Sequence, residues 1–414
     1  MIPDIFNIIV EILIAYTLTE LILCKIILYV NKRFSWLITD KDEKPTLSES
    51  GLKKFISHGY DSEFGWVRKP NTFHIENGKE GSTKWTINSI GARTNPNFEN
   101  LESRISCYGD SFTFCRQVND DETWECYLSE LQHTNILNFG VGNYGLDQTL
   151  LRLKREYPKN KTKIVIIGIV PDTISRILSI WKHYYEYGNT FGFKPRFILT
   201  ENNLRLIKNP IDHESKFFHY EKYLDQIKEN DFFYHNKFKK EKIRFPYSIT
   251  ILKNIKRNFS IIYWILLIQI YKKLKKDVSN IEWNPMRTIM RINLNWRIKL
   301  YQDPSAIMLL KEIIKEFIKI MQEKNATLVL VFLPQKDDVN FIRKNFHFYK
   351  NTLLEIKRLD NLCVIDLTDY LINQKNLDEL YSDPNNYGGH FSKQGNKIIA
   401  NILNEELNKL NPSK

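Results

Sequence analysis

The sequence predicts an α/β fold built on a parallel sheet of five strands. Short apolar runs at Ile105–Tyr108, Asn135–Phe139, Lys163–Ile169, Ala326–Leu333 and Leu362–Asp366 read as strands. Helical patterns, notably Asp147–Glu156 and Ile307–Gln322, lie between them. Strands alternating with helices make a parallel sheet covered on both faces. In such a sheet the ligand site is expected beyond the carboxyl ends of the strands. Ser111, Gly140–Asn143 and Pro171-Asp172 each fall just after a predicted strand.

In chain order, Ile5 to Val30 comes first, an almost continuous apolar stretch of about bilayer length, interrupted by Glu11, Glu20 and Lys25. Glu11 and Glu20 are nine residues apart, roughly 180° around a helix, so they do not form one polar stripe. Two readings follow: a single membrane anchor whose charges meet a membrane-protein partner, or an amphipathic helix packed on something else. The first is favoured. No small-residue cleavage site follows, which argues against a removed signal peptide. Asp4 precedes the stretch and Lys32-Arg33 follow it, so the flanking charges favour the cytoplasmic side for the rest of the chain.

Lys41 to Ser57 is polar and linker-like. The runs Asp61–Asn71 and Lys84–Arg93, broken by Gly, Pro and Asn, read as hairpins, a β-rich lead-in to the core. Residues 194–301 interrupt the core with a hairpin, Phe197–Ile207 turning at Asn202-Asn203, and then a basic, aromatic helical region. Its apolar run Ile261–Ile268 is too short to span a bilayer; it reads as a buried cap helix or as a helix on a membrane surface. The expected segments are 1–34, 35–100, 101–193, 194–301 and 302–414.

Composition excludes some classes. The 414 residues carry 60 Lys and Arg against 48 Asp and Glu, a net charge of +12, but the basic residues form only short clusters. No concentrated basic face for nucleic acid emerges. The five cysteines (Cys24, Cys107, Cys115, Cys126, Cys363) are too irregular for a disulfide scaffold or a zinc site and read as free thiols. Neither a metal nor a cofactor is indicated. Gly140-x-Gly142-x-x-Gly145 is too little to support a nucleotide site.

The chemistry lies in two places. The strand at residue 105 ends in Gly109-Asp110-Ser111, and Gly388-Gly389-His390-Phe391-Ser392 stands ahead of a terminal helical pattern. Acyl transfer needs a nucleophile, a base and donors for an oxyanion. Ser111 supplies the first and His390 the second. Taken singly, Ser111 could cap a helix and His390 could be structural.

This pairing resembles the SGNH (GDSL) hydrolase family, in particular members linked to cell-surface polysaccharides. The resemblance implies a flavodoxin-like three-layer sandwich with the β-rich lead-in and the helical insertion as additions. It implies that Ser111 is acylated, that His390 is the base, and that Asp110 holds the turn. The family places an Asp three residues before the His, where this chain has Tyr387; Asp383, seven before, is the substitute, a backbone carbonyl the alternative. The second family block aligns its oxyanion Gly with Asn143, beside Gly142 and Gly140; Asn tolerates the left-handed backbone required. The third block lacks its Asn and reads Gly168-Ile169-Val170-Pro171-Asp172. Losing one such donor costs roughly 3 kcal/mol of transition-state stabilisation. Thr173, Arg176 or a protonated Asp172 are the candidates to replace it. The expected activity is an esterase or O-acyltransferase on O-acetyl groups of a carbohydrate or another acylated small molecule, with Tyr144, Trp181, Tyr184 and Tyr185 available to stack on sugar rings. The altered third block leaves a non-catalytic subunit of a membrane complex as the rival.

Overall fold

The computed structural model describes residues 2–33, 36–78, 81–201, 203–382 and 389–410. The chain divides into two compact units: residues 1–48, 181–192 and 221–293 form one, and residues 49–180, 193–220 and 294–414 the larger other.

The larger unit holds the five-stranded sheet. Its strands are β1 (Ser103–Gly109), β2 (Asn135–Asn138), β3 (Ile164–Ile169), β4 (Thr327–Phe332) and β5 (Cys363–Asp366). They pair in parallel in the order β5-β4-β3-β1-β2. Read from the other edge this is 2-1-3-4-5, the flavodoxin-like order, whose reversal between β1 and β3 opens a crevice at the strands' carboxyl ends. β3 forms because Ile and Val fill five of its six positions, and the other strands, less rich in them, are stabilised because both faces of the sheet are covered. One face packs Ile105, Cys107, Ile166, Val329 and Val331 against helices α1 (Trp124–Gln132) and α4 (Lys393–Leu410), through Trp124, Leu128, Ile399 and Leu403. On the other lie α2 (Leu146–Glu156) and α3 (Pro304–Glu323), whose buried stripe Leu309, Leu310, Ile313, Ile314 and Phe317 keeps helical spacing. α3 starts where Asp303 caps it, accepting from the Ser305 and Ala306 N–H groups, with Pro304 in the first turn.

The lead-in forms two hairpins, Tyr60–Asp61 with Gly65–Trp66 and Thr72–Gly78 with Gly81–Ile87. Arg93 bridges from Ile87 to Asn138 of β2, docking the second hairpin on the sheet. The hairpin expected at Phe197–Ile207 is Arg196–Thr200 paired with Asn203–Ile207.

In the smaller unit, the N-terminal helix Ile2–Arg33 is long and apolar enough to cross a membrane. Ile5, Phe6, Ile9, Ile12, Leu13 and Ile22 are exposed on it, whereas Ile27 and Val30 are buried. Those two join Leu37, Ile243, Ile251, Ile261 and Ile265 in one apolar cluster. The run at 261–268 is therefore part of a longer helix, Ile255–Lys273, with Ile261, Ile265 and Ile268 on its buried face. Glu20 is buried and accepts from the Tyr247 N–H, the Ser248 N–H and the Ser248 hydroxyl, so its donors come from this chain. Glu11 and Lys25 are exposed.

Candidate active site

β1 ends in the turn 111–117, which carries Ser111. Asp110 shapes its start: Oδ1 accepts from the Phe112 N–H at 2.8 Å, and Oδ2 from Arg176 Nη1 at 2.8 Å. Both oxygens are occupied, so Asp110 is a bracket for the turn. Burial pushes its carboxyl above the usual range, against the pull of Arg176. The far end of the turn is held from the lead-in. Arg93, 2 % exposed, donates to the Phe114 and Cys115 carbonyls at 2.6 Å and to the Val118 carbonyl at 2.7 Å, while its Nε meets Asp120 at 2.8 Å. Between these anchors Cys115 and Gln117 sit in the left-handed region, at φ 57° and 68°. A non-glycine residue held there stores strain that the surroundings must over-determine.

Ser111 is 6 % exposed, and its Oγ has no hydrogen-bond partner among the described residues, His390 included. His390 nevertheless lies against the same turn. Its ring centroid is 4.8 Å from that of Phe112, and its Nδ1 is 3.0 Å from Gln117 Oε1. Gln117 Oε1 also faces the His390 backbone N–H at 3.3 Å and the Ser382 hydroxyl at 2.9 Å. A backbone N–H can only donate, so this atom of Gln117 is its oxygen. Nδ1 must then carry the ring proton, and Nε2 is left as an unprotonated acceptor. Burial and the Arg116 and Arg176 guanidinium groups hold His390 well below its usual range, in the neutral form. Asp383 and Tyr387 lie outside the described residues.

After β2, Asn138 ties the second block to the first. Its amide donates to the Thr113 carbonyl at 2.7 Å and its oxygen accepts from the Gly140 N–H at 2.9 Å. At Gly140 the approach is too close for a side chain: a Cβ would fall 2.5 Å from Phe114 N. A methyl on Gly142 would lie 3.9 Å from Ser111 Cβ, which puts Gly142 beside the serine. Trp66 fixes this loop by donating its indole N–H to the Gly142 carbonyl at 2.9 Å. Asn143 takes φ 66°, the left-handed conformation open to Asn. Among the described residues no group accepts from the backbone N–H of Ser111, Gly142 or Asn143. Backbone N–H groups of this kind are able to donate to an oxyanion.

The third block is committed elsewhere. Asp172, 2 % exposed, accepts from Arg176 Nε at 3.0 Å and from Arg297 Nε at 3.2 Å. Arg297 is itself buried and pairs with Asp338. Thr173 Oγ1 accepts from the Leu146 N–H at 3.1 Å, and Arg176 Nη1 also donates to the Tyr144 carbonyl at 3.1 Å. Asp172 and Arg176 are thus tied into an ion-pair network, and Thr173 Oγ1 is used as an acceptor. Tyr144 is buried and its hydroxyl donates to the Trp66 carbonyl, a packing role.

Gln117, Arg93, Arg68 and Arg297 were not singled out from sequence. No local pattern marks them, since each acts on a residue far along the chain. The left-handed backbone at Gln117 is a structural signal only.

No protein-family model and no curated protein matches the chain. Among solved structures it is similar to a protein described as lipolytic, of the G-D-S-L family, from Desulfitobacterium hafniense DCB-2 (13 % identity, 73 % of this chain and 98 % of that one, TM-score 0.33). It is also similar to the lipase/acylhydrolase from Enterococcus faecalis (12 % identity, 74 % and 95 %, TM-score 0.30). A two-domain esterase active on acetylated mannans is matched over 75 % of this chain and 50 % of its own length (10 % identity, TM-score 0.34). None of these carries a residue's role over to this chain. The Gly109-Asp110-Ser111 turn and the 2-1-3-4-5 strand order are what the resemblance to the SGNH (GDSL) hydrolases implies.

Proposed function

We propose that this protein is a membrane-tethered serine ester hydrolase or O-acyltransferase of the SGNH type, acting on acyl esters of a carbohydrate. The observation that supports the reading is the orientation of His390 by Gln117, which leaves Nε2 unprotonated on a ring packed against Phe112, the neighbour of Ser111. His390 Nε2 takes the Ser111 Oγ proton as that oxygen attacks the ester carbonyl. Developing negative charge on the carbonyl oxygen is met by the backbone N–H groups of Ser111, Gly142 and Asn143. Collapse expels the alkoxide, which receives the proton from His390, and leaves acyl-Ser111. Water or a sugar hydroxyl then repeats the sequence in reverse. Gln117 fixes the tautomer without adding charge, so it supports the imidazolium less than a carboxylate would. The carbohydrate acceptor comes from the family resemblance. The tether is the N-terminal helix, with flanking charges that favour the cytoplasmic side.

The test is labelling with a fluorophosphonate. Labelling of the intact chain that is lost in both Ser111→Ala and His390→Ala supports the enzyme. The engaged third block favours a second reading, a non-catalytic subunit, and absence of labelling in the folded intact chain selects it.

A further inference from the structure

The larger unit carries a cavity of about 710 Å³. Arg68, Lys69, Arg152, Arg155 and Lys159 line it, against two carboxylates, Asp61 and Glu156. Both carboxylates are already engaged: Asp61 meets Arg155 Nη2 at 2.8 Å, and Glu156 meets Arg155 Nε at 3.3 Å. The charge that remains is cationic.

Arg152 is the informative residue. It is 2 % exposed, yet among the described residues it has no carboxylate partner. Nη2 donates to the Gly91 carbonyl at 2.8 Å, and Nε and Nη1 have no hydrogen-bond partner. Its guanidinium lies 5.7 Å from the Phe139 ring, which offers only weak compensation. A buried cation answered by one carbonyl, a ring face and the neighbouring Tyr144 hydroxyl, with no carboxylate, is costly unless an anion comes to it. Lys69, half-buried, donates Nζ to the Ile56 carbonyl at 2.6 Å and has no carboxylate partner among the described residues.

One of the residues lining the cavity, Arg68, extends toward the second block. Arg68 lies 4.4 Å over the Trp85 ring, and its Nη2 is 3.8 Å from where a methyl on Gly142 would sit. That same methyl would be 3.9 Å from Ser111 Cβ. Arg68 thus borders the cavity and comes near Gly142, the neighbour of Ser111.

We infer that the cavity binds an oxyanionic group, a carboxylate or a phosphate, carried by the ester that Ser111 attacks. The link to the ester rests on the esterase reading; the anion site itself does not. A neutral ester forgoes the contacts with Arg152, Lys69 and Arg68, and an anionic one gains them, so the site selects acidic substrates.

Calorimetry on the full chain in neutral detergent tests this without turnover, using sodium glucuronate, inorganic phosphate and glucose as probes. Saturable binding of glucuronate, phosphate or both, weakening as salt rises and absent for glucose, supports the site; which anion binds identifies the source of the charge. Lys69→Gln and Arg152→Gln should each weaken it about tenfold, the loss of one charge-assisted contact. If Arg152→Gln fails to fold, Lys69→Gln decides. Equal binding of glucose and glucuronate, no binding of either anion, or unchanged anion binding in Lys69→Gln overturns the inference. Anion binding in a chain that no fluorophosphonate labels supports the site and removes only its tie to an ester.

Discussion

His390 Nδ1 rests 3.0 Å from the side-chain oxygen of Gln117, the last residue of the turn that begins at Ser111. One turn therefore carries both the proposed nucleophile and the group that orients the proposed base. A neutral amide does the orienting, which makes the pH behaviour of His390 the most direct reading of the site.

Gln117→Glu should change that behaviour in a known direction. A carboxylate at this distance favours the imidazolium and raises the His390 pKa. His390 acts as base only when neutral, so raising its pKa moves the acid limb of kcat/KM to higher pH. We expect the variant to lose activity at pH 5 by about tenfold or more relative to wild type, and to match or exceed it at pH 8. Gln117→Ala should lower kcat about a hundredfold at every pH, because the tautomer is no longer fixed. A pH profile of ester hydrolysis separates the two.

Arg116 works from the other side. With Arg176 it disfavours a second charge on His390, so wild-type activity should persist below the usual histidine range. Arg116→Gln removes one of these cations, and the His390 pKa then rises. The acid limb should move up in pH while the alkaline plateau stays. An unchanged limb would assign the lowering to burial and Arg176 alone.

The five strands were legible as short apolar runs, four of which stop at Gly, Asn or Pro and the last at Asp366, and the positions just past three of them hold Ser111, Gly142-Asn143 and Asp172. The hairpin at Arg196–Ile207 was legible for the same reason, and the lead-in only in part: its second hairpin takes its first strand, Thr72–Gly78, from outside the two runs read there. Pairings across long separations were not. Gln117 and His390 are 273 residues apart, and Asp172 and Arg297 are 125 apart. No local propensity links such positions; only the sheet order brings them together. The run at Ile261–Ile268 shows the same limit. Its apolar content announced a buried face, but not that Ile27 and Val30 of the N-terminal helix would cover it.

Asn143 tests the oxyanion donors. At φ 66° glycine is at least as comfortable as asparagine, and either supplies a backbone N–H. Asn143→Gly should therefore keep kcat within about threefold, whereas Asn143→Ala should cost about 1 kcal/mol of stability through backbone strain alone. Asn143→Pro removes the donor and cannot adopt this φ, so labelling by a fluorophosphonate should be lost. If Asn143→Gly abolishes activity, the side-chain amide rather than the N–H is the working group.

Arg297 answers two buried carboxylates at once, Asp172 and Asp338. Burial pushes the Asp338 carboxyl up, and Arg297 opposes that push. Arg297→Met leaves both acids without this partner, and breaking a buried pair from one side costs about 3–5 kcal/mol. Denaturant unfolding should show a loss of that order. It should be partly relieved at acid pH, where protonation of the stranded carboxylates removes their charge. Asp172→Asn in the same assay should cost less, since the arginines keep Asp110 and Asp338 as partners.

The N-terminal helix makes a prediction about truncation. Its first half exposes Ile5, Phe6, Ile9, Ile12 and Leu13, whereas Glu20, Ile27 and Val30 are buried. Glu20 satisfies the N–H groups of Tyr247 and Ser248, and the two apolar residues close a cluster with Ile243, Ile251, Ile261 and Ile265. Removing residues 2–19 should therefore release the protein from membranes as a folded, monodisperse chain. Removing residues 2–33 strips the cover from that cluster and should yield aggregate instead, because exposed apolar surface of this kind seeks a partner. Size-exclusion chromatography of the two truncations without detergent distinguishes the outcomes. If the longer truncation is as well behaved as the shorter, the helix serves only as an anchor, and its C-terminal half contributes nothing to the fold.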